Sequence, residues 1–343
     1  MSVKPRQTAF VTGSTGFIGQ RLCAGLVDAG FTVRGLVRTP SKAAALASIG
    51  VELVPGDVMS PESYADALDG VDVVFHLAGV LKAPWRRSFA LVNGQGPARV
   101  AAACASRPSP PALVLVSSLA ATGPALGGTP RDESMPPQPI SAYGRAKLAG
   151  EKGLEAYAAK LPISVLRPPM VFGADDTATL DLFRLADRGL GVLPTRRESR
   201  LSLIHVDDVV TALLALGTGT SGRPPGSIRA YFIGADEQPT FSDLAQRMAR
   251  ACGHPRVRIV GVPRGVTFMA ALVSHGIARF LDRPAILNLD KYREAVAGDW
   301  TCSAERLRKE LDWRPAHTLD FRLEQTVRGY RNRGLLKKRQ SIE

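Results

Sequence analysis

Tyr143 and Lys147 stand four residues apart in the run Y-G-R-A-K, inside a segment that reads as helix, and Ser118 lies twenty-five positions upstream after a buried strand. One helical turn places the phenol and the ammonium on the same face. A phenol ordinarily titrates near about 10, a poor proton donor or acceptor at neutral pH, and a fixed cation beside it favours the phenolate and draws that value toward the working range. Such a pair suits an acid/base that serves a carbinol or a ketone. A hydroxyl at position 118, at a strand end, would hold the substrate oxygen; the competing reading is a turn serine. Because Y-x-x-x-K also arises by chance on exposed helices, the rest of the chain has to decide.

The N-terminus supplies the partner chemistry. The apolar run Ala9-Phe10-Val11 leads through Thr12-Gly13-Ser14-Thr15-Gly16-Phe17-Ile18-Gly19 into a helical pattern carried by Leu22, Leu26 and Val27. Strand, glycine turn and helix in that order let the backbone approach a pyrophosphate and offer it the free N–H groups of the helix start. Gly13, Thr15, Gly16, Phe17, Ile18 and Gly19 are therefore candidate dinucleotide contacts. The second strand, residues 31–37, should end beside the adenosine ribose, where a carboxylate selects NAD. This chain has Arg38 there, with Lys42 close by, and a guanidinium fits a 2′-phosphate bidentately. NADP is the expected cofactor, with NAD the alternative and a solvated loop cation the bland reading of Arg38. After the third strand, Asp57 and Val58 would meet the adenine amino group; Asp57 is alternatively the cap of a helix opening at Pro61.

Alternating strand and helix signals over the first half predict an α/β chain: a doubly wound parallel sheet of the Rossmann type with a smaller mixed C-terminal substrate lobe. The expected dinucleotide-binding domain comprises residues 1–172 and 203–236, and the substrate-binding lobe residues 173–202 and 237–343. The Pro/Gly-rich stretch Gly123–Pro139, just before Tyr143, is expected to be a mobile lid, and Gly217–Gly226 a second loose linker.

On these motifs the chain resembles the extended short-chain dehydrogenase/reductases, the NAD-dependent epimerase/dehydratase family, and within it the 3β-hydroxysteroid dehydrogenase and dihydroflavonol reductase-like members. Thr12 to Gly19 resembles the family's glycine turn, Gly56-Asp57-Val58 its adenine-side motif, and His76-Leu77-Ala78-Gly79 the end of its fourth strand. Ser117 to Pro124 resembles the serine loop, Arg167 to Gly173 the strand-six motif, and His205-Val206-Asp207-Asp208-Val209 the family's H-V-D-D-V. The resemblance implies that Ser118, Tyr143, Lys147 and Asn93 are catalytic, Asn93 steadying the lysine through water. It also implies that Leu77, Ala78, Gly79, Pro168 and Val171 join Tyr143 and Lys147 around the cofactor. Ala297-Gly298-Asp299-Trp300 and Leu311-Asp312-Trp313-Arg314-Pro315 resemble tail signatures of the same family. Each match has a plain twin: His76 as a packed strand residue, one of Asp207 and Asp208 as a helix cap, Pro168-Pro169 as a strand break, and both tryptophans as packing.

The implied activity is hydride transfer between the nicotinamide and a secondary alcohol or ketone of hydroxysteroid or dihydroflavonol kind. Arg38, the serine loop and Met170, where many nucleotide-sugar enzymes carry Asn, favour net redox. Arg196, Arg197 and Arg200 favour the alternative, a nucleotide-sugar epimerase or dehydratase, although Leu119-Ala120 replaces the Asp-Glu a 4,6-dehydratase uses. A non-catalytic dinucleotide-binding subunit is the third reading, and the intact Tyr/Lys pair argues against it.

With 343 residues, 45% hydrophobic and 22% charged, the composition is that expected of a soluble globular chain large enough for one main core and a smaller lobe. Residues 262–281 form the most membrane-like stretch, but Arg264, His275 and Arg279 make it an amphipathic helix, expected to cover the substrate side. With the glycine turn beginning by residue 13, no signal peptide is expected. Cysteines 23, 104, 252 and 302 show no paired spacing, which fits a cytoplasmic location and implies no metal. The net charge of +13 is concentrated in part in a tail containing Arg328, Arg331, Arg333, Lys337, Lys338 and Arg339. That tail is read as a solvated helix or a weak peripheral contact with anionic lipid. Without interleaved aromatics, no nucleic-acid partner is expected. The expected partners are a small-molecule substrate and a second copy of the chain.

Overall fold

The computed structural model describes residues 6–81, 86–280 and 289–337; Leu281, Lys338 and Arg339 lie outside it, as do the side chains of His275 and Arg279. In chain order the strands are β1 (Thr8–Thr12), β2 (Thr32–Val37), β3 (Glu52–Pro55), β4 (Val73–His76), β5 (Ala112–Val116), β6 (Ile163–Arg167), β7 (Met170–Phe172), β8 (Leu190–Leu193), β9 (Leu203–His205), β10 (Ile228–Phe232) and β11 (Arg258–Gly261). The helices are α1 (Phe17–Asp28), α2 (Ala44–Ser48), α3 (Arg86–Phe89), α4 (Gly96–Ala105), α5 (Ala142–Lys152), α6 (Leu180–Ala186), α7 (Val206–Ser221), α8 (Phe241–Ala251), α9 (Arg264–Phe280), α10 (Leu289–Val296), α11 (Glu305–Leu311) and α12 (Leu319–Asn332).

Seven strands make one sheet in the order β3-β2-β1-β4-β5-β6-β10, every neighbour parallel. That is the doubly wound order with one strand added. Successive residues of a strand point to opposite faces, and a sheet covered on both faces needs apolar residues at every position. In β1, Ala9 and Val11 join Leu22 and Leu26 of α1 and Val209 and Leu213 of α7, whereas Phe10 joins Val100 and Cys104 of α4. Gly217 is helical rather than linker: a Cβ there would lie 2.6 Å from the Phe75 ring, so glycine lets α7 press onto β4. Trp313 packs into the same core and donates to Thr211 Oγ1 at 3.0 Å.

Pro168 and Pro169 do break a strand, because β6 ends at Arg167 and β7 pairs with β9 outside the main sheet. Beyond that break a third core gathers Phe183 of α6, Met248 of α8, and Leu323 and Tyr330 of α12. The stretch expected to be a lid is tied down instead. Arg131 is fully buried, and its guanidinium donates to the carbonyls of Pro124 (2.7 Å) and Pro136 (3.0 Å), holding both limbs of the loop. Its backbone bonds Thr301 and Ser303, and Glu133 accepts from the Phe232 amide. A cation inside the protein must find acceptors, and these carbonyls immobilise the chain that supplies them.

Neither aspartate of H-V-D-D-V caps α7. The His205 ring does, Nδ1 accepting from the Asp207 amide at 3.2 Å. Asp208 instead meets the Arg322 guanidinium (Nε to Oδ2, 2.9 Å), and Asp207 bonds the same arginine and Gln325, so the two carboxylates anchor α12. Asp208 and Arg322 are both buried. Asp208→Ala leaves a buried guanidinium without its main partner and should cost about 3–5 kcal/mol in urea unfolding. Adding Arg322→Met to that variant should recover most of the loss.

Candidate active site

The glycine turn is built by steric exclusion. Gly13 has φ +70°, and a Cβ there would sit 2.6 Å from the Ala78 nitrogen; a Cβ at Gly19 would sit 2.1 Å from the Gly13 carbonyl. Both close approaches require glycine. Gly16 occupies the N-cap of α1 with no side chain bonded to the helix start and no acidic residue in the first turn. Free N–H groups and the positive end of the helix dipole therefore face outward, as a pyrophosphate requires. Thr15 and Gly16 are exposed at this mouth, while Phe17 and Ile18 are half-buried, Ile18 against the core. At the far end of β2, Arg38 is exposed, as is Lys42. Asp57 does not cap the turn at Pro61; its Oδ1 accepts from the Met59 amide at 2.8 Å. Val58 is buried beneath it. The free N–H donors and the open helix end fit the pyrophosphate of a dinucleotide.

Helix α5 brings Tyr143 and Lys147 to the end of β5. Ser141 caps it, Oγ accepting from the Gly144 amide at 3.1 Å. A Cβ at Gly144 would lie 2.2 Å from the Ala120 carbonyl, so the glycine of Y-G-R-A-K lets the helix touch the serine loop. Ser118 Oγ accepts from the Ala120 amide at 3.1 Å, and the Ser118 side chain lies near enough to Tyr143 to lower the phenol. Phe89 packs edge-on to the tyrosine ring, centroids 6.0 Å apart. Lys147 is buried and its Nζ donates to the Val116 carbonyl at 3.0 Å.

Asn93 lies in a π-helical turn, residues 90–95, joining α3 to α4. Its side-chain amide clamps Val80, accepting from the nitrogen at 2.8 Å and donating to the carbonyl at 2.9 Å. A Cβ at Gly79 would come within 2.9 Å of Asn93 Oδ1 and 3.3 Å of Lys147 Nζ, so Asn93, Gly79 and Lys147 share one wall. Leu77 and Ala78 form the adjoining chain, with Thr12 Oγ1 accepting from the Ala78 amide at 3.2 Å. Pro168 is buried, its carbonyl receiving the Leu119 amide at 2.8 Å, and Val171 is half-buried against the core.

Burial rather than the ammonium governs the phenol. Tyr143 is pushed up to about 12 by desolvation, with Ser118 lowering it and the Glu294 charge raising it. Lys147 is brought down to about 8, again by desolvation, with Glu151 opposing. The expected draw of Tyr143 toward neutral pH thus does not occur: stripping water from a pair penalises both charged forms.

Other groups border the site, and of these Glu151, Asp290 and Glu294 escape a reading of the sequence alone. Glu151, one turn beyond Lys147, receives the Ser117 hydroxyl and pairs with Arg167 at 2.6 Å, both ions buried, and Arg167 stacks over Phe232 at 5.4 Å. The Lys-x-x-x-Glu spacing was the available signal. Thr12 Oγ1 bonds His76 Nδ1 at 2.7 Å, and His76 is a packed strand residue, lowered to about 3 by burial and by Lys147. From α10, Asp290 accepts the Ala142 amide at 3.1 Å, which ties that helix to the start of α5. Trp300 packs beside Leu119, Phe232 and Cys302 and donates to the Glu294 carbonyl at 2.8 Å. Arg196, Arg197 and Arg200 are exposed, Arg200 reaching the Gln238 carbonyl at 3.5 Å.

Fold and glycine turn together define a dinucleotide-dependent enzyme. The family model described as the NAD dependent epimerase/dehydratase family matches residues 9–234. The chain is 32% identical over 307 residues to the "Ceramide reductase" of Caulobacter vibrioides, covering 89% of each. It is 30% identical to the "2-alkyl-3-oxoalkanoate reductase" of Shewanella oneidensis, over 80% of this chain and 73% of that one. The crystal structure of gox2253 superposes with a TM-score of 0.76 at 25% identity, over 97% of this chain and 100% of that one. The chain belongs to the NAD-dependent epimerase/dehydratase family, the extended short-chain dehydrogenase/reductases, and is an NAD(P)-dependent oxidoreductase.

His76 and His205 are buried, and burial lowers them to about 3 and about 4. An unfolded chain binds protons at both rings below about 6.5 while the folded one does not. Stability is therefore full above pH about 6.5 and should fall as pH drops toward 4, by about 1.4 kcal/mol per pH unit for each ring. In urea unfolding, His76→Gln should reduce that slope by one proton; an unchanged slope would mean that the ring titrates normally.

Proposed function

We propose that the chain reduces a ketone on an alkyl-bearing molecule with NADPH, using Ser118 to hold the substrate oxygen and Tyr143 to donate the proton. The observation that carries this reading is the placing of Tyr143, Lys147 and Ser118 at the end of β5, with Lys147 Nζ on the Val116 carbonyl at 3.0 Å and Gly144 letting α5 touch the serine loop; burial, with the Glu294 charge in the same sense, keeps the phenol neutral. At neutral pH such a group carries its proton, and although a phenol at about 12 is a weak acid, the alkoxide formed as hydride adds to a ketone is the stronger base and can take it. Bound NADPH supplies the hydride. Ser118, at the end of β5 beside Tyr143, would orient the carbonyl oxygen so that the proton has a short path to it. Lys147, with Asn93 and Gly79 along the same wall, would hold the nicotinamide ribose. Gly13, Thr15, Gly16, Phe17, Ile18 and Gly19 would cradle the pyrophosphate, Asp57 and Val58 the adenine, and Leu77, Ala78, Pro168 and Val171 the remaining length. Arg38 would bind the 2′-phosphate and give the preference for NADPH over NADH. The residues from 173 to 202 and from 237 onward would form the substrate lobe. Two relatives named as reductases of ceramide and of 2-alkyl-3-oxoalkanoates support an alkyl-bearing substrate.

Tyr143→Phe keeps the ring and its contact with Phe89 and removes only the proton; turnover should fall by about 10²–10⁴ with NADPH affinity retained. Residual activity within about tenfold of the parent would remove Tyr143 from the chemistry. Arg38→Asp should reverse the preference in a binding titration, NADH becoming tighter than NADPH; continued preference for NADPH would place the phosphate on another cation. With a long-chain 3-keto substrate, one NADPH should disappear per alcohol formed. Interconversion of UDP-sugars without net NADPH loss would instead establish the epimerase reading.

A further inference from the structure

Helix α9 turns an apolar face outward. Val266, Met269, Leu272, Val273 and Ile277 are 57%, 54%, 43%, 55% and 55% exposed, whereas Thr267 and Ala271 are buried. At 100° per residue, positions 266, 269, 273 and 277 fall on one stripe, and Leu272 widens it. A soluble helix ordinarily presents the opposite pattern, and contiguous exposed apolar surface of this kind marks an interaction site.

Charge around the helix selects the occupant. Residues 256–280 contain four arginines and no acidic residue. Arg256, Arg258 and Arg264 are exposed, Val260 is 44% exposed between the last two, and Arg196 lies beside Gly261 at the end of β11. An apolar stripe on a helix approached through a basic, acid-free segment matches the interface of a bilayer carrying anionic headgroups. A second copy of the chain would bring like charges together across a symmetric interface, each subunit at +13. Among the described residues no helix is long and apolar enough to span a membrane, so α9 would lie in the surface plane.

The helix is also placed for delivery. Phe268 of α9 packs edge-on to Tyr292 of α10, centroids 5.3 Å apart. The same α10 carries Asp290, which receives the Ala142 amide at the start of the catalytic helix, and Glu294, whose charge acts on Tyr143. We propose that the outward face of α9 seats in the interface of an anionic phospholipid bilayer, so that a ketone dissolved in the membrane enters the site past α9 and α10. This deepens the reading above, an alkyl-bearing ketone as substrate, and rests on it only for the delivery step.

The test uses the full chain in co-sedimentation with vesicles of equal parts phosphatidylcholine and phosphatidylglycerol, and with vesicles of phosphatidylcholine alone. The wild type should bind the anionic vesicles. Met269→Glu with Val273→Glu, both at exposed positions, should weaken that binding by roughly tenfold or more, with NADPH affinity and reduction of a water-soluble short-chain ketone unchanged. Arg258→Gln with Arg264→Gln should lower the preference for anionic over neutral vesicles. Equal vesicle binding by wild type and the double glutamate variant would overturn the proposal. So would a wild type that ignores vesicles but sediments as a dimer that the glutamates dissociate, since the occupant is then a second copy. Vesicle binding lost in the variant, together with no reduction of any ketone, would leave the docking surface standing and remove only the substrate reading.

Discussion

A lysine ammonium buried at the junction of a helix and a strand end is the constraint on which this site depends. Lys147 Nζ, donating to the Val116 carbonyl at 3.0 Å, ties α5 to β5 at the point where the strand gives way to the serine loop. The tie demands close approach, and the sequence provides it with glycines: a Cβ at Gly144 would strike the Ala120 carbonyl at 2.2 Å and one at Gly150 the Asn93 carbonyl at 2.3 Å. Closeness of that order also removes water. Desolvation then sets the protonation of the whole group, with Tyr143 raised, Lys147 lowered and His76 lowered, each toward its neutral form. A tyrosine that keeps its proton at neutral pH is the consequence.

Outside this centre, buried ions do the joining. Glu151, on the turn after Lys147, is held by Arg167 and Ser117, so helix, β6 and the serine loop share one carboxylate. Arg131 fastens the long loop before Tyr143 through carbonyls at both its ends. Asp207 and Asp208 bind α12 through Arg322. Charges placed inside a protein are costly unless paired, and removing one partner is far worse than removing both. The C-terminal segment is therefore attached where a ligand lobe would need to be positioned, by contacts that tolerate little displacement.

Much of this was legible in the sequence where local sterics or period-two and period-3.6 patterns decide the outcome. The glycine turn, the strand–helix alternation and the Tyr143–Lys147 face all follow from residues close together in the chain. What escaped involves partners far apart or a local preference overridden by packing. Arg131 sits in a stretch whose prolines and glycines read as a loose lid, and nothing nearby announces that its guanidinium is buried. Gly217 reads as a linker until Phe75 is found beneath it. The π turn holding Asn93 has no sequence signature, since helix propensity does not distinguish it from an α-helix. The titration of Tyr143 was missed for a related reason: a cation four residues away suggests a lowered phenol, but the balance of charge and desolvation depends on burial, which only the assembled fold decides. Helix α9 was legible as amphipathic, and the side it exposes was not.

The central claim is that burial keeps the Tyr143 phenol protonated at the pH where the enzyme works. The most direct measurement is a tyrosinate difference titration at 295 nm, comparing the wild type with Tyr143→Phe so that the other tyrosines cancel. With the phenol at about 12, the two proteins should show the same absorbance change up to pH about 10, the difference emerging only above it. A difference that develops near neutral pH would mean that the ammonium, not desolvation, controls the phenol, and would contradict the account of Tyr143 as a resting proton donor.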